Sequence, residues 1–336
     1  MKLRTLLHRL LIVVVMALAG SLVAAEAPLR VFIRAGVKTH GPNQHDHPRF
    51  LADWTKLLNE RGLKAGGSMT FPTAEQLDGT DVLVIYAADG MKIVGDERAR
   101  FEKFLQRGGG LVVIHDAVVA DDQNEWCKKI IGGTWIWGNK APGHTPTKWF
   151  EGNVGIYFID QEHPITRGVS NFEWKDEVYN LLEMQPDAHV LAMSFLDVFN
   201  IHPQLWTYEK TLEGGSIPYR AFVSIPGHEY DVFNTPHYRA ILFRGIAWAG
   251  KRGNTDEFCN ATELGSLTYP EGGPLPSQKE ITKFNIHPEF NVTVTADENV
   301  AEKIMSIDWD AKGRMWIVET PEYPNGRDVN RNDFII

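Results

Sequence analysis

Histidines and carboxylates gather at a few points of this 336-residue sequence in a pattern that suits metal or proton chemistry. His40, His45 and His47 crowd the stretch from Thr39 to Pro48, His115-Asp116 ends the apolar run Leu111 to Ile114, and His228-Glu229 follows Pro226-Gly227. A further acidic group, Asp176-Glu177 with Tyr179, lies between them. Neutral imidazoles and carboxylates that converge suit Zn²⁺ or a similar divalent ion, and the same groups can pair as acid and base. His45, His47, His115 and His228 are therefore the candidate metal ligands, and His115, Asp116, Glu177 and His228 the candidate catalytic groups. The H-x-H spacing of His45 and His47 is by itself a weak signal, and a solvated loop shaped by Pro42 and Pro48 is its plainer account.

Aromatic residues are dense in the same region of the chain. Trp126, Trp135, Trp137, Trp149 and Trp174 fall within fifty residues. Indole faces pack on sugar C–H surfaces while neighbouring acids bind hydroxyls, so Trp135, Trp137, Tyr179 and Glu229 are candidate substrate-binding residues for a small carbohydrate. Burial in the core is the commoner use of tryptophan. His163, in the turn His163-Pro-Ile-Thr-Arg-Gly168, reads as structural.

The elements that must position these groups alternate between strand and helix. Leu29 to Ala35 is a strand, and Phe50, Trp54, Leu57 and Leu58 recur at helical spacing up to Arg61-Gly62. Leu63 to Phe71 and Asp81 to Ala87 are further strands, Asp96 to Arg107 a helix, Gly108 to Ala117 the central strand, and Gln123 to Ile131 another helix. Four consecutive apolar residues without alternation, Leu111 to Ile114, predict a strand buried on both faces of a parallel sheet. Ligand crevices in such sheets lie at the carboxyl ends of the strands, which is where the histidines stand. Beyond Gly132 the β-forming runs are Val154 to Asp160, Val190 to Ser194, Gln204 to Tyr208 and Arg220 to Ile225, followed by a helix from Pro236 to Ala249. Residues 28–250 thus form an α/β domain. Residues 251–280 read as a linker or extended wrap, and 281–336 as an incomplete β segment with a strand at Phe290 to Thr295 and a hairpin within Ile304 to Glu319. The chain reads as a fragment of a longer protein.

Residues 1–25 have the pattern of a cleaved secretory signal: Lys2, Arg4 and Arg9, an uncharged apolar run, then Val23-Ala-Ala25. Its removal takes three basic residues and moves the formal charge from −9 to −12. An acidic exported chain is a poor nucleic-acid ligand, and no stable membrane insertion is expected after cleavage. The expected location is periplasmic or extracellular. Cys127 and Cys259 form no CxxC or CxxCH element, so haem is not expected, and their spacing leaves pairing open. No GxSxG, GxxxxGK[ST] or GxGxxG follows the first strand, so no nucleotide cofactor is expected.

Gly108-Gly-Gly-Leu-Val-Val-Ile-His115, His163-Pro-Ile-Thr166, Asp176-Glu-Val-Tyr179, Pro226-Gly-His228 and Gly245-Ile-Ala-Trp-Ala249 together resemble the ThuA-like (trehalose utilisation) family of the class I glutamine amidotransferase-like superfamily. The resemblance implies a flavodoxin-like parallel sheet with helices on both faces and a role in sugar metabolism that includes keto-disaccharides. Where the superfamily's amidotransferases carry a cysteine nucleophile, this chain carries His115, so Cys-dependent amidotransfer is not expected. Residues 283–324, including Phe284, Pro288, Phe290, Asp308, Gly313-Arg314, Glu319 and Tyr323-Pro324, resemble the opening of a β-propeller that follows ThuA-like domains in large secreted planctomycete and verrucomicrobial proteins. The leading expectation is carbohydrate processing with metal- or His/carboxylate-assisted proton transfer or hydrolysis. The alternatives are a non-catalytic sugar-binding or scaffolding module and, more weakly, an amidase-like hydrolase with His115 as base.

Overall fold

The computed structural model describes residues 26–319, apart from 140, 198–199, 269–275, 285, 298–299 and 302–303, together with 334–335. The signal-like segment 1–25 lies outside them. Strands β1 (Arg30–Ala35), β2 (Lys64–Ser68), β3 (Val82–Tyr86) and β4 (Gly110–Ile114) pair in parallel in the order β2-β1-β3-β4. A fifth parallel strand, Tyr219–Ser224, joins β4, which completes the flavodoxin-like order. Every residue of β3 and β4 is buried, as a strand covered on both faces requires.

Helices cover both faces. On one lie α1 (His47–Glu60), through Phe50, Trp54 and Leu58, and the helix Pro236–Ala249. On the other lie Gly95–Gln106, through Phe101, Phe104 and Leu105, and Asn124–Ile131, through Cys127, Ile130 and Ile131. The sheet does not stop at five strands, however. Four more, Asn200–Lys210, His189–Asp197, Lys148–Phe158 and Phe172–Asn180, continue it antiparallel, giving nine strands. In chain order the last two mentioned are β6 and β7, after the short β5 (Gly133–Thr134).

Two expectations need correction. Phe290 to Thr295 forms no strand, because no neighbouring strand pairs with it and its residues stand largely exposed. Phe172–Asn180, absent from the sequence reading, is a strand. Its alternation is broken by Asp176 and Glu177, which are buried together with the Val178 and Tyr179 that follow them. The hairpin does form, with Ile304–Trp309 pairing Met315–Glu319 around a turn held by Asp310. Residues 251–268 are a packed wrap: Phe258 and Leu267 enter the core, and Arg61 makes a two-pronged ion pair with buried Glu263. Cys127 and Cys259 are unpaired.

His237, near the start of the helix Pro236–Ala249, packs against Phe172 and Trp174 at ring distances of 4.0 and 5.5 Å, with Nε2 buried and unpartnered among the described residues. Burial pushes its pKa down to about 4. The unfolded ring protonates near 6.5, so this residue's contribution is intact above that pH and is lost as pH falls toward 4. His237→Phe is expected to reduce the acid-side loss of stability by about 1–2 kcal/mol, allowing for the ring's partial exposure. Melting temperatures of both proteins between pH 7 and 4.5 check this, and parallel curves would contradict it.

Candidate metal centre

The carboxyl ends of β1, β4 and Tyr219–Ser224 open onto one crevice, and each contributes a histidine. His115 follows β4 directly, with a positive φ of 54° that a side-chain-bearing residue adopts only under strain. The loop after β1 carries His45, also at positive φ (43°), and leads into α1 at His47. His228 sits in the turn after Tyr219–Ser224, where Gly227 takes φ +147° and passes close to Ile114. From the antiparallel half, β7 brings Asp176, Glu177 and Tyr179.

The hydrogen bonds around these rings fix which nitrogens are free. His115 Nδ1 lies 2.7 Å from the carbonyl of Ile225, so it donates and Nε2 points into the crevice. His45 Nδ1 lies 3.0 Å from both Asp116 Oδ2 and Thr39 Oγ1, which leaves its Nε2 facing His115 Nε2 at 3.0 Å and His228 Nδ1 at 2.8 Å. Glu177 Oε2 stands 3.1 Å from His115 Nε2 and 3.1 Å from His228 Nδ1, and the Tyr179 hydroxyl 3.1 Å from His115 Nε2. Donor atoms of His45, His115, Glu177 and His228 all lie within 4.8 Å of one another, and all four residues are buried. Such a group is able to hold one metal ion.

Electrostatics reinforce the arrangement. Burial opposes charge on Glu177, yet hydrogen bonds to His115 and His228 outweigh it and hold the carboxyl at about 2. For His115 burial again opposes charge, but Glu177 and the nearby aspartates prevail and raise it to about 9. His45 is pushed down to about 4, chiefly by burial, which leaves it a neutral donor. Asp116 is held well below the carboxylate range because the bonds to His45 and His47 overcome its burial.

His47 stands one layer behind the donors. Its Nδ1 donates to Val37 O at 2.8 Å, and its Nε2 meets Asp116 at 3.2 Å, so the ring braces the carboxylate that orients His45. His45, His47 and Asp116 form a second potential ligand group that shares His45 with the first. Asp176 is fully buried and accepts from the amides of Gly227 (2.8 Å) and Glu229 (3.0 Å), on either side of His228. Tyr86 and Tyr238 donate to the carbonyls of Gly227 and Pro226, each at 2.6 Å, and complete the clamp on this turn.

Among the residues expected to bind substrate, Tyr179 stacks on His115 at 4.9 Å, Trp135 meets Tyr179 edge-on at 4.7 Å, and Trp137 tilts against Trp135 at 5.2 Å. Trp135 is buried and Trp137 is 40% exposed. Glu229 ties loops together, its carboxylate taken by Asn43, Gln44 and Lys175. His163 accepts from the amide of Ile165 in its turn, as a structural residue would. Cys127 Sγ faces the carbonyls of Val118 and Gly133, and burial raises its pKa to about 12, far from a nucleophile. Among the described residues, no serine or cysteine bonds to His115.

The sequence profile of the family described as trehalose utilisation, ThuA, matches residues 38–249, more than half of the chain. The chain belongs to the ThuA family. A putative ThuA-like protein of Bacteroides uniformis shares 20% identity and superposes with a TM-score of 0.51, covering 69% of this chain and 96% of that one. One from Parabacteroides merdae shares 16% identity at a TM-score of 0.51, covering 66% and 90%. At this identity the likeness shows a common fold. Among curated proteins no sequence matches the chain. Residues 276–335 match a second profile, a domain of unknown function, DUF7133.

Membership gives the ThuA domain a carbohydrate-related role, and the matched span contains every crevice residue described above. The sequence reading missed the weight of Asp176 and the bracing role of His47. Only the adjacency of Asp176 to Glu177 in the DEVY stretch pointed to the former; the latter depends on Val37 O, which no motif marks.

Proposed function

We propose that the crevice is a divalent-metal centre with His45 Nε2, His115 Nε2, His228 Nδ1 and the Glu177 carboxylate as ligands, and that it processes a carbohydrate, with a keto-sugar as the first substrate to try. The observation that carries this reading is the fixed orientation of His115, whose Nδ1–H is spent on Ile225 O so that its other nitrogen faces two imidazoles and a carboxylate. Three imidazoles and one carboxylate suit zinc or a similar transition metal. The ion, when bound, supplies Lewis-acid polarisation of a sugar carbonyl or hydroxyl.

The chain's own groups do the rest. Asp116 and His47 hold the His45 ring, Asp176 holds the His228 turn, and the Tyr179 hydroxyl stands ready to hydrogen-bond a substrate oxygen beside His115. His228 Nε2, buried and without a hydrogen-bond partner among the described residues, lies 4.0 Å from Glu151 Oε2 at the mouth. Tyr179 and Trp135 form an apolar wall that keeps water from one side.

The protein is also proposed to act outside the cytoplasm, on the basis of the signal-like residues 1–25. No helix among the described residues is long and apolar enough to cross a membrane. Residues 281–336 are read as the opening of a β-propeller, a reading supported by the antiparallel pairing of Ile304–Trp309 with Met315–Glu319.

Elemental analysis of the purified protein is expected to find about one transition-metal ion per chain. Turnover of a keto-disaccharide is expected to disappear on chelation and return when the ion is restored. Metal-free protein with full turnover would overturn the metal reading, and a metal-loaded protein that binds but never converts sugars would favour a binding module.

A further inference from the structure

We propose that His47, Asp116 and the outer nitrogen of His45 hold a second divalent transition-metal ion, so that His45 bridges two ions through its two ring nitrogens. This rests on the metal centre proposed above and adds a second, weaker site behind it.

The argument starts from the His47 ring. Its Nδ1 lies 2.8 Å from the carbonyl of Val37, an acceptor only, so Nδ1 carries the proton and the neutral ring has a bare lone pair at Nε2. That lone pair faces both oxygens of Asp116 at 3.2 Å. Two acceptors in contact repel unless a cation stands between them. Asp116 Oδ2 also lies 3.0 Å from His45 Nδ1, yet this buried oxygen has no hydrogen-bond partner among the described residues. The His45 and His47 rings approach to 5.6 Å between centroids, and the donor atoms of His45, His47 and Asp116 lie within 4.8 Å of one another. Donors that share one zinc ion tetrahedrally stand about 3.3 Å apart, close to the 3.0 and 3.2 Å found here.

Charge points the same way. Asp116, Asp176 and Glu177 are all buried, and among the described residues none of them pairs with a lysine or arginine. One divalent ion at His115 and Glu177 leaves part of that negative charge unbalanced, and Asp116 is the carboxylate on the far side of His45 from it. Thr39 Oγ1, 3.0 Å from His45 Nδ1, offers a neutral oxygen beside the same spot. When the second ion binds, the N–H bond at His45 Nδ1 breaks, its proton leaves to solvent, and the freed electron pair forms the bond to the metal. The ring becomes an imidazolate and a stronger donor to the first ion. With three protein ligands against four, and a like charge nearby, the second ion binds more weakly, so purified protein retains the first.

The test is equilibrium dialysis of the purified full chain against graded Zn²⁺, with bound metal counted by elemental analysis, for wild type, His47→Gln, His115→Ala and His144→Ala. Wild type is expected to pass from about one ion per chain to about two as free Zn²⁺ rises. His47→Gln keeps a side-chain donor for Asp116 but has no imidazole nitrogen, and is expected to stop at about one. His144→Ala removes the exposed Glu125–His144–Glu183 group, the other place where zinc ligands gather, and is expected to keep both ions. In wild type loaded with Cu²⁺, the electron paramagnetic resonance signal present at one equivalent is expected to fall at two, because an imidazolate bridge couples the spins. A wild type that stops at one ion, a second ion that survives His47→Gln or vanishes in His144→Ala, or two uncoupled coppers overturns the bridged site. If a single ion remains and is lost in His115→Ala, the metal centre proposed above still stands. No bound ion in wild type overturns both.

Discussion

His115→Ala is expected to lower the affinity of the protein for zinc or cobalt by roughly 10²–10³-fold and to abolish turnover. Removing one of four ligands takes a proportionate share of the binding free energy of such a site. It also leaves the carbonyl of Ile225, now bonded to His115 Nδ1, without its donor, at a cost of about 1–3 kcal/mol of stability. Titration calorimetry with zinc and the visible spectrum of a cobalt-loaded protein check the first part, and chemical denaturation the second. His163→Ala serves as the control, since His163 is occupied in its own turn. Wild-type metal affinity in His115→Ala would remove the foundation of the proposed centre.

The second large effect concerns a residue that touches no proposed ligand ion. Asp176→Asn is expected to weaken metal binding by about 10–100-fold and to destabilise the fold by about 2–4 kcal/mol. Both Asp176 oxygens are engaged, one by the amide of Gly227 and the other by that of Glu229. Asparagine offers one acceptor and turns an NH₂ group toward the remaining amide, so the turn that aims His228 loses one bond and gains a repulsion. Burial pushes the Asp176 carboxyl up to about 6, partly offset by the charge of His115 and by three backbone amides, so these bonds hold the group near its limit. Metal titration and denaturation of the same variant separate the two effects. A loss of stability with full metal affinity would confine Asp176 to a purely structural role.

How much of this was legible in the sequence depends on the type of strand. β3 and β4 are continuous apolar runs, and the histidines at His45, His115 and His228 follow strand ends, so their convergence could be read from the alternation of strand and helix. Phe172–Asn180 could not be read in that way. A strand that lies at the edge of the sheet and buries two carboxylates breaks both the apolar run and the alternation by which strands are recognised. That break hides the strand, and with it the burial of Asp176 and Glu177. Glu229, expected to meet substrate, bonds Asn43, Gln44 and Lys175, partners separated from it by up to 186 residues and invisible to local pattern. The second half of the sheet was seen as isolated β-forming runs, since antiparallel order is set by pairings that only the folded chain makes.

The nine-stranded sheet has one consequence for how the protein comes into being. His45, His115, Glu177 and His228 belong to four chain segments, with 70 residues between the first two and 183 between the first and last. Three of them stand at the ends of strands of the parallel half, and the fourth, Glu177, on β7 of the antiparallel half. Contacts so far apart in sequence form late in folding, because the loops they close must be ordered first. The proposed ion would thus find a complete ligand set only in a finished domain, and once there would hold the two halves of the sheet together, adding about 2.7 kcal/mol at a free concentration a hundred times its dissociation constant.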